Sequence, residues 1–213
     1  MVQKLAGVIA CALALTLGAA TTAQAATLTL IDGPGDVWEV SGYSDPLSFN
    51  EHRVPQREQG DILRTVFRHA ERQLVIRTRF AELAREGKVV ELLATLRTDT
   101  GVIRWLTVRA GFNSDWRVLT SVVNGRGRVL DPIDPQAPPG NCTISPTLDY
   151  ARNVAVIRLP RICLNNPRTV QLSFGVKTGS GQNPFIDNPI THRPPRDRPG
   201  GGMVPFTAPI PSS

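Results

Sequence analysis

The sequence predicts an all-β fold, an antiparallel two-sheet β-sandwich. Three observations favour it: short segments alternate apolar and polar residues, turns interrupt them every 8 to 12 residues, and β-branched residues are common in residues 27–130 and 142–178. We expect the sandwich to span residues 27–187, with a Pro-rich loop at residues 131–141. Residues 188–213 are dominated by Pro, Gly and polar residues and are expected to form a flexible tail.

The first segment of the domain core, residues 61–72, is ambiguous. Leu63 and Phe67 fit one face of a helix, and Arg64 and Arg68 fit another. We favour a strand, because the next segment is itself a strand that needs an antiparallel partner. A hairpin loop is then expected between the two.

The remaining strands follow in chain order, and each is identified by alternation or by β-branched content. They are expected at residues 73–80, 89–97, 102–109, 116–123, 142–148, 154–159 and 169–177. The turns are expected at residues 98–101 and 150–153. Residues 81–86 are expected to form a single helical turn that Gly87 ends.

Residues 1–25 have the organisation of a signal peptide. Lys4 supplies the positive charge, residues 5–20 are apolar and uncharged, and a small-residue cleavage site follows. The mature chain is expected to begin at Ala26 and to be secreted and extracellular, with cell-wall association as a further option. A lipid anchor on Cys11 and a retained signal anchor are the alternatives, and both are disfavoured by the short apolar stretches.

Cleavage would leave two cysteines, Cys142 and Cys163, in an oxidising compartment. We predict an intramolecular disulfide between them, which encloses 20 residues. In the loop-entropy model it stabilises the fold by about 3 kcal/mol. Free thiols and intermolecular pairing are the alternatives. A catalytic thiol would need a neighbouring base, and the nearby residues offer only arginines.

The chain carries a formal net charge of +6, and nearly all of its basic residues are arginines. An arginine bias of this kind is typical of a GC-rich genome, so we expect no nucleic-acid partner. We also expect no stable membrane insertion after signal cleavage. Attraction to anionic cell-envelope polymers is physically allowed but screened by salt.

The order of several segments resembles a known pattern. Asp36-Val37-Trp38 comes early, Arg77-Thr78-Arg79-Phe80 closes a strand pair, and Leu159-Pro160-Arg161-Ile162-Cys163-Leu164 precedes Pro167-Arg168-Thr169-Val170. Over residues 30–187 this order resembles uncharacterised secreted bacterial proteins whose β-sandwich is similar to carbohydrate-binding module family 9 and DOMON domains. The resemblance implies an antiparallel sandwich of nine or more strands, usually non-catalytic, with relatives that bind sugars by aromatic stacking or haem through His or Met.

This chain has few residues that could act as axial ligands of haem, so we expect no cofactor. The mature chain has one methionine, Met203, and histidines at positions 52, 69 and 192 without a ligand motif. His52 and His69 lie in charged segments that are expected to be exposed.

Sugar stacking requires exposed aromatic side chains, and the candidates are Trp38, Trp116 and Tyr43. Trp38 and Trp116 lie near expected strand ends, although packing is still favoured for both. Trp105 lies within an expected strand and is predicted to belong to the core.

Asp32 and Asp36 belong to an acidic N-terminal group with Asp45 and Asp61. Carboxylates of this kind are hard ligands that suit Ca²⁺. The segment lacks the dense acidic loop of an EF-hand, so turn and capping roles are favoured and no metal site is predicted.

The sequence therefore favours a secreted, non-catalytic binding or surface-interaction module, with glycan as the first ligand to test. A small exported hydrolase and a structural cell-envelope protein are the alternatives. The hydrolase has no support from a local catalytic motif such as G-x-S-x-G or H-E-x-x-H.

Overall fold

The computed structural model describes residues 25–41, 50–83, 89–110, 116–123, 143–179, 183–191 and 205–213, with the backbone alone for 116–123. These residues form an all-β structure with one short 3₁₀ helix, Arg161–Leu164. The strands are β1 (Ala26–Ile31), β2 (Trp38–Ser41), β3 (Asn50–Arg53), β4 (Ile62–His69), β5 (Gln73–Phe80), β6 (Val90–Thr98), β7 (Ile103–Ala110), β8 (Trp116–Val123), β9 (Ser145–Asp149), β10 (Val154–Pro160), β11 (Thr169–Thr178), β12 (Phe185–Asp187) and β13 (Ile210–Pro211).

The strands form two antiparallel sheets, as the sequence predicts. The smaller sheet has the order β1-β4-β5-β10-β9. The larger sheet has the order β3-β2-β12-β11-β6-β7-β8, and β13 pairs with β11 beside β12. Strands β2 and β3 therefore reach the rest of the larger sheet only through β12, which comes late in the chain.

The core lies between the sheets and is built from alternate residues of each strand. In β11, Val170, Leu172, Phe174 and Val176 are 1% exposed or less, as their alternation predicts. The ring of Phe174 meets that of Phe67 in β4 edge to face, with centroids 5.9 Å apart. This contact joins the larger sheet to the smaller one.

The ambiguous segment at residues 61–72 contains a strand, which confirms the preferred interpretation. Strand β4 pairs with β5 over its whole length, with an irregularity between Ile62 and Arg64. Arg64 and Arg68 are exposed while Phe67 is buried. The hairpin with β5 is closed by a hydrogen bond from the amide of Ala70 to the carbonyl of Gln73.

Residues 205–213, at the end of the expected flexible tail, add a strand to the larger sheet. Val170 of β11 pairs with Ile210 of β13. The amide of Thr207 donates to the carbonyl of Leu172 at 2.8 Å, and the Leu172 amide donates to Thr207 Oγ1 at 3.1 Å. This contact forms because β12 covers only the C-terminal end of the same edge of β11.

Several expectations are settled only in part. Residues 81–83 form no helical turn, and the rest of the helical turn expected at 81–86, with Gly87, lies outside the described residues. Residues 1–24 of the expected signal peptide, the loop expected at 131–141 and residues 192–204 of the expected tail also lie outside the described residues. Strand β1 begins at Ala26, the predicted first residue of the mature chain.

Candidate functional site

Two acidic residues bracket the turn that leads from the smaller sheet to the larger one. Asp32 follows β1 directly, and Asp36 lies two residues before β2. Gly35 between them has a φ of +77°, and a Cβ there would lie 2.7 Å from the carbonyl oxygen of Pro55. The tight turn holds both carboxylates inward, and each residue is only 5% exposed.

Two further aspartates approach the same place from other strands. Asp61 immediately precedes β4, and Asp187 is the last residue of β12. Both are 2% exposed. Asp187 pairs directly with Val176, whose side chain lies in the core, so its carboxylate is directed between the sheets.

Hydrogen bonds fix the positions of these two carboxylates. The amide of Ile62 donates to Asp187 Oδ2 at 2.6 Å, which links the smaller sheet to the larger one. The amide of Gly35 donates to Asp61 Oδ2 at 2.8 Å, which ties the β1–β2 turn to the start of β4. We call Asp32, Asp36, Asp61 and Asp187 together the aspartate cluster.

Three members of the cluster are close enough to share one ligand. Asp32, Asp36 and Asp187 each offer a carboxylate oxygen within 4.8 Å of the other two. Asp61 is the fourth member, because its charge acts on both Asp32 and Asp187. The cluster thus draws residues from the β1–β2 turn, the start of β4 and the end of β12.

Burial is the main reason why the carboxyl groups of Asp32, Asp61 and Asp187 resist ionisation. Burial, followed by repulsion from Asp36, raises the pKa of Asp32 to about 8. Burial also raises the pKa of Asp187 to about 8, although the hydrogen bond from the Ile62 amide opposes the shift. The pKa of Asp61 is raised for the same reason. Four ionised carboxylates in this space would repel one another strongly.

Asp61 and Asp187 have no neutralising cation among the described residues. Arg53 attracts Asp61 weakly, but its Nε donates to the carbonyl of Gly35 at 2.7 Å. Within the described residues, neither Asp61 nor Asp187 forms an ion pair with an arginine or a lysine. In addition, Oδ1 of Asp61 and Oδ1 of Asp187 are buried, and neither accepts a hydrogen bond from a described residue.

The structure brings together the two lesser Ca²⁺ candidates of the sequence, Asp32 and Asp36, and adds Asp61 from the same acidic group. Asp45 lies outside the described residues. The sequence reasoning missed Asp187, because it stands at the boundary of the Pro-rich tail. The available signal was the short apolar pair Phe185-Ile186 just before it.

The aromatic candidates have mixed outcomes. Trp38 is partly buried, in a strand that lies between β3 and β12. Trp116 begins β8, but its side chain is outside the described part of the structure, as is Tyr43. The core assignment of Trp105 is wrong, since this residue is 40% exposed. Alternation in β7 places Arg104, Leu106 and Val108 inward, so Trp105 must point outward.

Trp105 lies on the outer face of the larger sheet, in a surface that we call the Trp105 face. Its direct neighbour in β6 is Thr95, while Thr107 and Ile103 flank it along β7. The surface comprises the outward side chains of Leu93, Thr95, Arg97, Ile103, Trp105 and Thr107. At its margin the guanidinium of Arg97 stacks on the ring of Phe206, 4.1 Å from the ring centroid.

The two described histidines differ in environment. His52 in the edge strand β3 is exposed, as expected, and lies 3.2 Å from a carboxylate oxygen of Glu39. The expected exposure of His69 is wrong, since it is fully buried on the inner face of β4. Its Nδ1 lies 3.0 Å from the carbonyl oxygen of Ile210 and must donate to it. Burial lowers the pKa of His69, which favours the neutral ring.

Cys163 lies in the 3₁₀ helix and is 4% exposed. Its expected partner Cys142 lies outside the described residues, so the disulfide stays a prediction. His192 and Met203 also lie outside them.

No protein-family model and no curated protein matches this chain. In the described part of the structure, no helix has both the length and the apolar character needed to cross a membrane. The Trp105 face and the aspartate cluster are the two features of the described residues that bear on function.

Proposed function

We propose that this protein is a secreted, non-catalytic binding module that contacts a glycan through the Trp105 face. The 40% exposure of the Trp105 side chain, on the outer face of the larger sheet, is the observation that carries the proposal. An aromatic ring of this kind packs against the apolar side of a sugar ring. The resemblance to carbohydrate-binding module family 9 supports the same ligand class.

The surroundings of Trp105 suit a polyhydroxylated ligand. Thr95 and Thr107 supply hydroxyl groups beside the indole, and Arg97 supplies an exposed guanidinium. Hydroxyls both donate and accept hydrogen bonds, and a guanidinium donates in a fixed plane. The positive charge of Arg97 adds attraction to anionic polymers of the cell envelope.

Export and the Cys142–Cys163 disulfide belong to this proposal. A strand that begins at Ala26 is compatible with cleavage just before it, since cleavage there leaves β1 whole. A disulfide would tie the 3₁₀ helix to the segment before β9, at the edge of the smaller sheet. The sugar-binding surface on the larger sheet would be unaffected.

The hydrolase alternative has less support from the geometry. Glycosidases hold two carboxyl groups about 5–9.5 Å apart on either side of a cleft that admits the sugar. The four carboxylates of the aspartate cluster are at most 5% exposed, so a polymeric substrate does not reach them. A structural envelope role makes no use of an exposed indole on a sheet.

Binding to cell-wall polysaccharides and to a glycan array tests the proposal. We expect Trp105→Ala to weaken binding by about tenfold or more, since stacking of one aromatic ring contributes on the order of 1–3 kcal/mol in comparable contacts. Trp105→Phe should retain part of the affinity. Ile162→Ala is the matched control, because Ile162 is also an exposed large apolar residue, at 59%, outside the Trp105 face.

Two outcomes would contradict the proposal. One is a wild-type protein that binds no glycan in either format. The other is a Trp105→Ala variant that is folded and binds as tightly as the Ile162→Ala control.

A further inference from the structure

We propose that the aspartate cluster is a binding site for a single Ca²⁺ ion that joins the two sheets. The proposed ligands are Asp32, Asp36 and Asp187, and Asp61 is a neighbouring carboxylate that adds negative charge. The proposal does not depend on the glycan ligand. The ion would hold the β1–β2 turn, the start of β4 and the end of β12 at one point.

The spacing of the carboxylates matches the size of this ion. Ca²⁺ binds oxygen at about 2.3–2.6 Å, so oxygens on opposite sides of it lie at most about 5 Å apart. Asp32, Asp36 and Asp187 each offer one oxygen within 4.8 Å of the others. One ion can therefore contact all three without a rearrangement of the strands.

Two buried oxygens point independently to a missing ligand. Oδ1 of Asp187 and Oδ1 of Asp61 have no hydrogen-bond donor among the described residues, and both residues are 2% exposed. Buried carboxylates are costly when unpaired and normally bind donors or metal ions. Asp187 Oδ2 accepts a hydrogen bond from the Ile62 amide, so its carboxylate is held in place with Oδ1 left over.

The chemistry of the cluster selects a hard cation. All three donors are carboxylates, which suit Ca²⁺, Mg²⁺ or Mn²⁺ and not the softer metals that histidine and cysteine bind. Mg²⁺ is smaller, demands octahedral geometry at about 2.0–2.1 Å and retains several waters. A buried cluster with three carboxylates spread over 4.8 Å favours Ca²⁺ instead.

Protons are the competing occupant of the cluster. Asp32 and Asp36 share a side-chain hydrogen bond, which requires one proton between them. If the cluster bound only protons, the protein would be equally stable with and without Ca²⁺. The two cases therefore differ in the response of stability to the ion.

The test is thermal unfolding of the metal-stripped mature chain in a titration with CaCl₂ at constant ionic strength. We expect the unfolding midpoint to rise with the logarithm of the free Ca²⁺ concentration, as for any ligand that binds only the folded state. At a hundred-fold excess over Kd the rise should be about 5–10 °C. Calorimetric titration should give one ion per chain.

Asp187→Asn is the decisive variant. The amide oxygen can still accept the hydrogen bond from the Ile62 amide, while the negative charge is lost. We expect the variant to be at least as stable as the metal-free wild type, and its Ca²⁺ affinity to fall ~10-fold or more, because affinity depends on ligand charge. Asp149→Asn is the matched control, since Asp149 lies in the edge strand β9 outside the cluster.

The proposal is overturned if the midpoint of the wild type does not change with Ca²⁺, or if Mg²⁺ at the same concentration raises it equally. It is also overturned if Asp187→Asn responds to Ca²⁺ as the wild type does. If Asp187→Asn does not fold, Asp32→Asn takes its place under the same criteria.

Discussion

The contact between Phe67 and Phe174 allows a direct test of the two-sheet packing. Phe67 belongs to the smaller sheet and Phe174 to the larger one, and both are at most 1% exposed. Their rings are 5.9 Å apart at an interplanar angle of 79°. The two side chains meet only if the inner faces of the two sheets pack against each other.

A double-mutant cycle with leucine measures this contact. We expect Phe67→Leu and Phe174→Leu each to destabilise the fold by about 1–3 kcal/mol, through lost packing and a small cavity. An edge-to-face aromatic pair contributes about 0.5–1.5 kcal/mol beyond burial. The double variant should therefore be less destabilised than the sum of the single variants by about that amount.

Urea unfolding followed by tryptophan fluorescence is a suitable assay, with an unchanged m-value as the condition for comparing free energies. The control cycle pairs Phe67→Leu with Ile162→Ala, because Ile162 is exposed and its substitution should be additive. Additivity of the two phenylalanine substitutions within about 0.3–0.5 kcal/mol would refute the packing described here.

Two further predictions concern the buried histidine and the cysteines. His69 is neutral when folded and its pKa is lowered by burial, so the unfolded chain binds the proton first. The contribution of His69 to stability should therefore be full above about pH 6.5 and fall as the pH decreases below it. In His69→Gln, urea midpoints at pH 5 and pH 7.5 should differ less than in the wild type, and an equal difference would contradict the assignment. Mass spectrometry of the secreted protein should show an N-terminus at Ala26 and no free thiol on Cys142 or Cys163; two free thiols would exclude the disulfide.

The alternation of apolar and polar residues correctly predicted which face of a strand is buried wherever one face is wholly apolar. In β11 the inward set of Val170, Leu172, Phe174 and Val176 was clear from the sequence. It was less decisive in β4, because residues four apart share a side in both a helix and a strand. Arg64 and Arg68 fit both patterns for this reason, and the pairing partner had to decide between them.

The face of β7 was predicted wrongly for a different physical reason. Trp105 is the largest apolar residue of the strand, and Arg104 beside it is charged, so hydrophobicity alone suggests that the tryptophan is buried. The structure instead buries Arg104 at 4% exposure together with Leu106 and Val108. Burial of the two aliphatic side chains, Leu106 and Val108, outweighed burial of the one aromatic side chain. Because side chains alternate between the two faces of a strand, Arg104 is buried on the same face as these two residues.

The aspartate cluster was only partly visible in the sequence. Asp32, Asp36 and Asp61 are near one another in the chain, and their acidic character suggested a metal ligand set that lacked a recognisable spacing. The sequence could not show that Asp187 lies beside these three aspartates, because the hydrogen bond between Ile62 and Asp187 spans 125 residues. Such a contact follows from the position of β12 between β2 and β11, which local patterns do not determine.

That position of β12 also has a consequence for how the chain acquires its structure. Among the described strands, the β2–β3 hairpin has no neighbour in the sheet until residues 185–187 have been synthesised, because β12 connects it to β11. Pairings this distant in sequence form late and slowly. A chain emerging from the ribosome would therefore keep β2 and β3 apart from the larger sheet until β12 has been made, whereas β1 can pair with β4 much earlier.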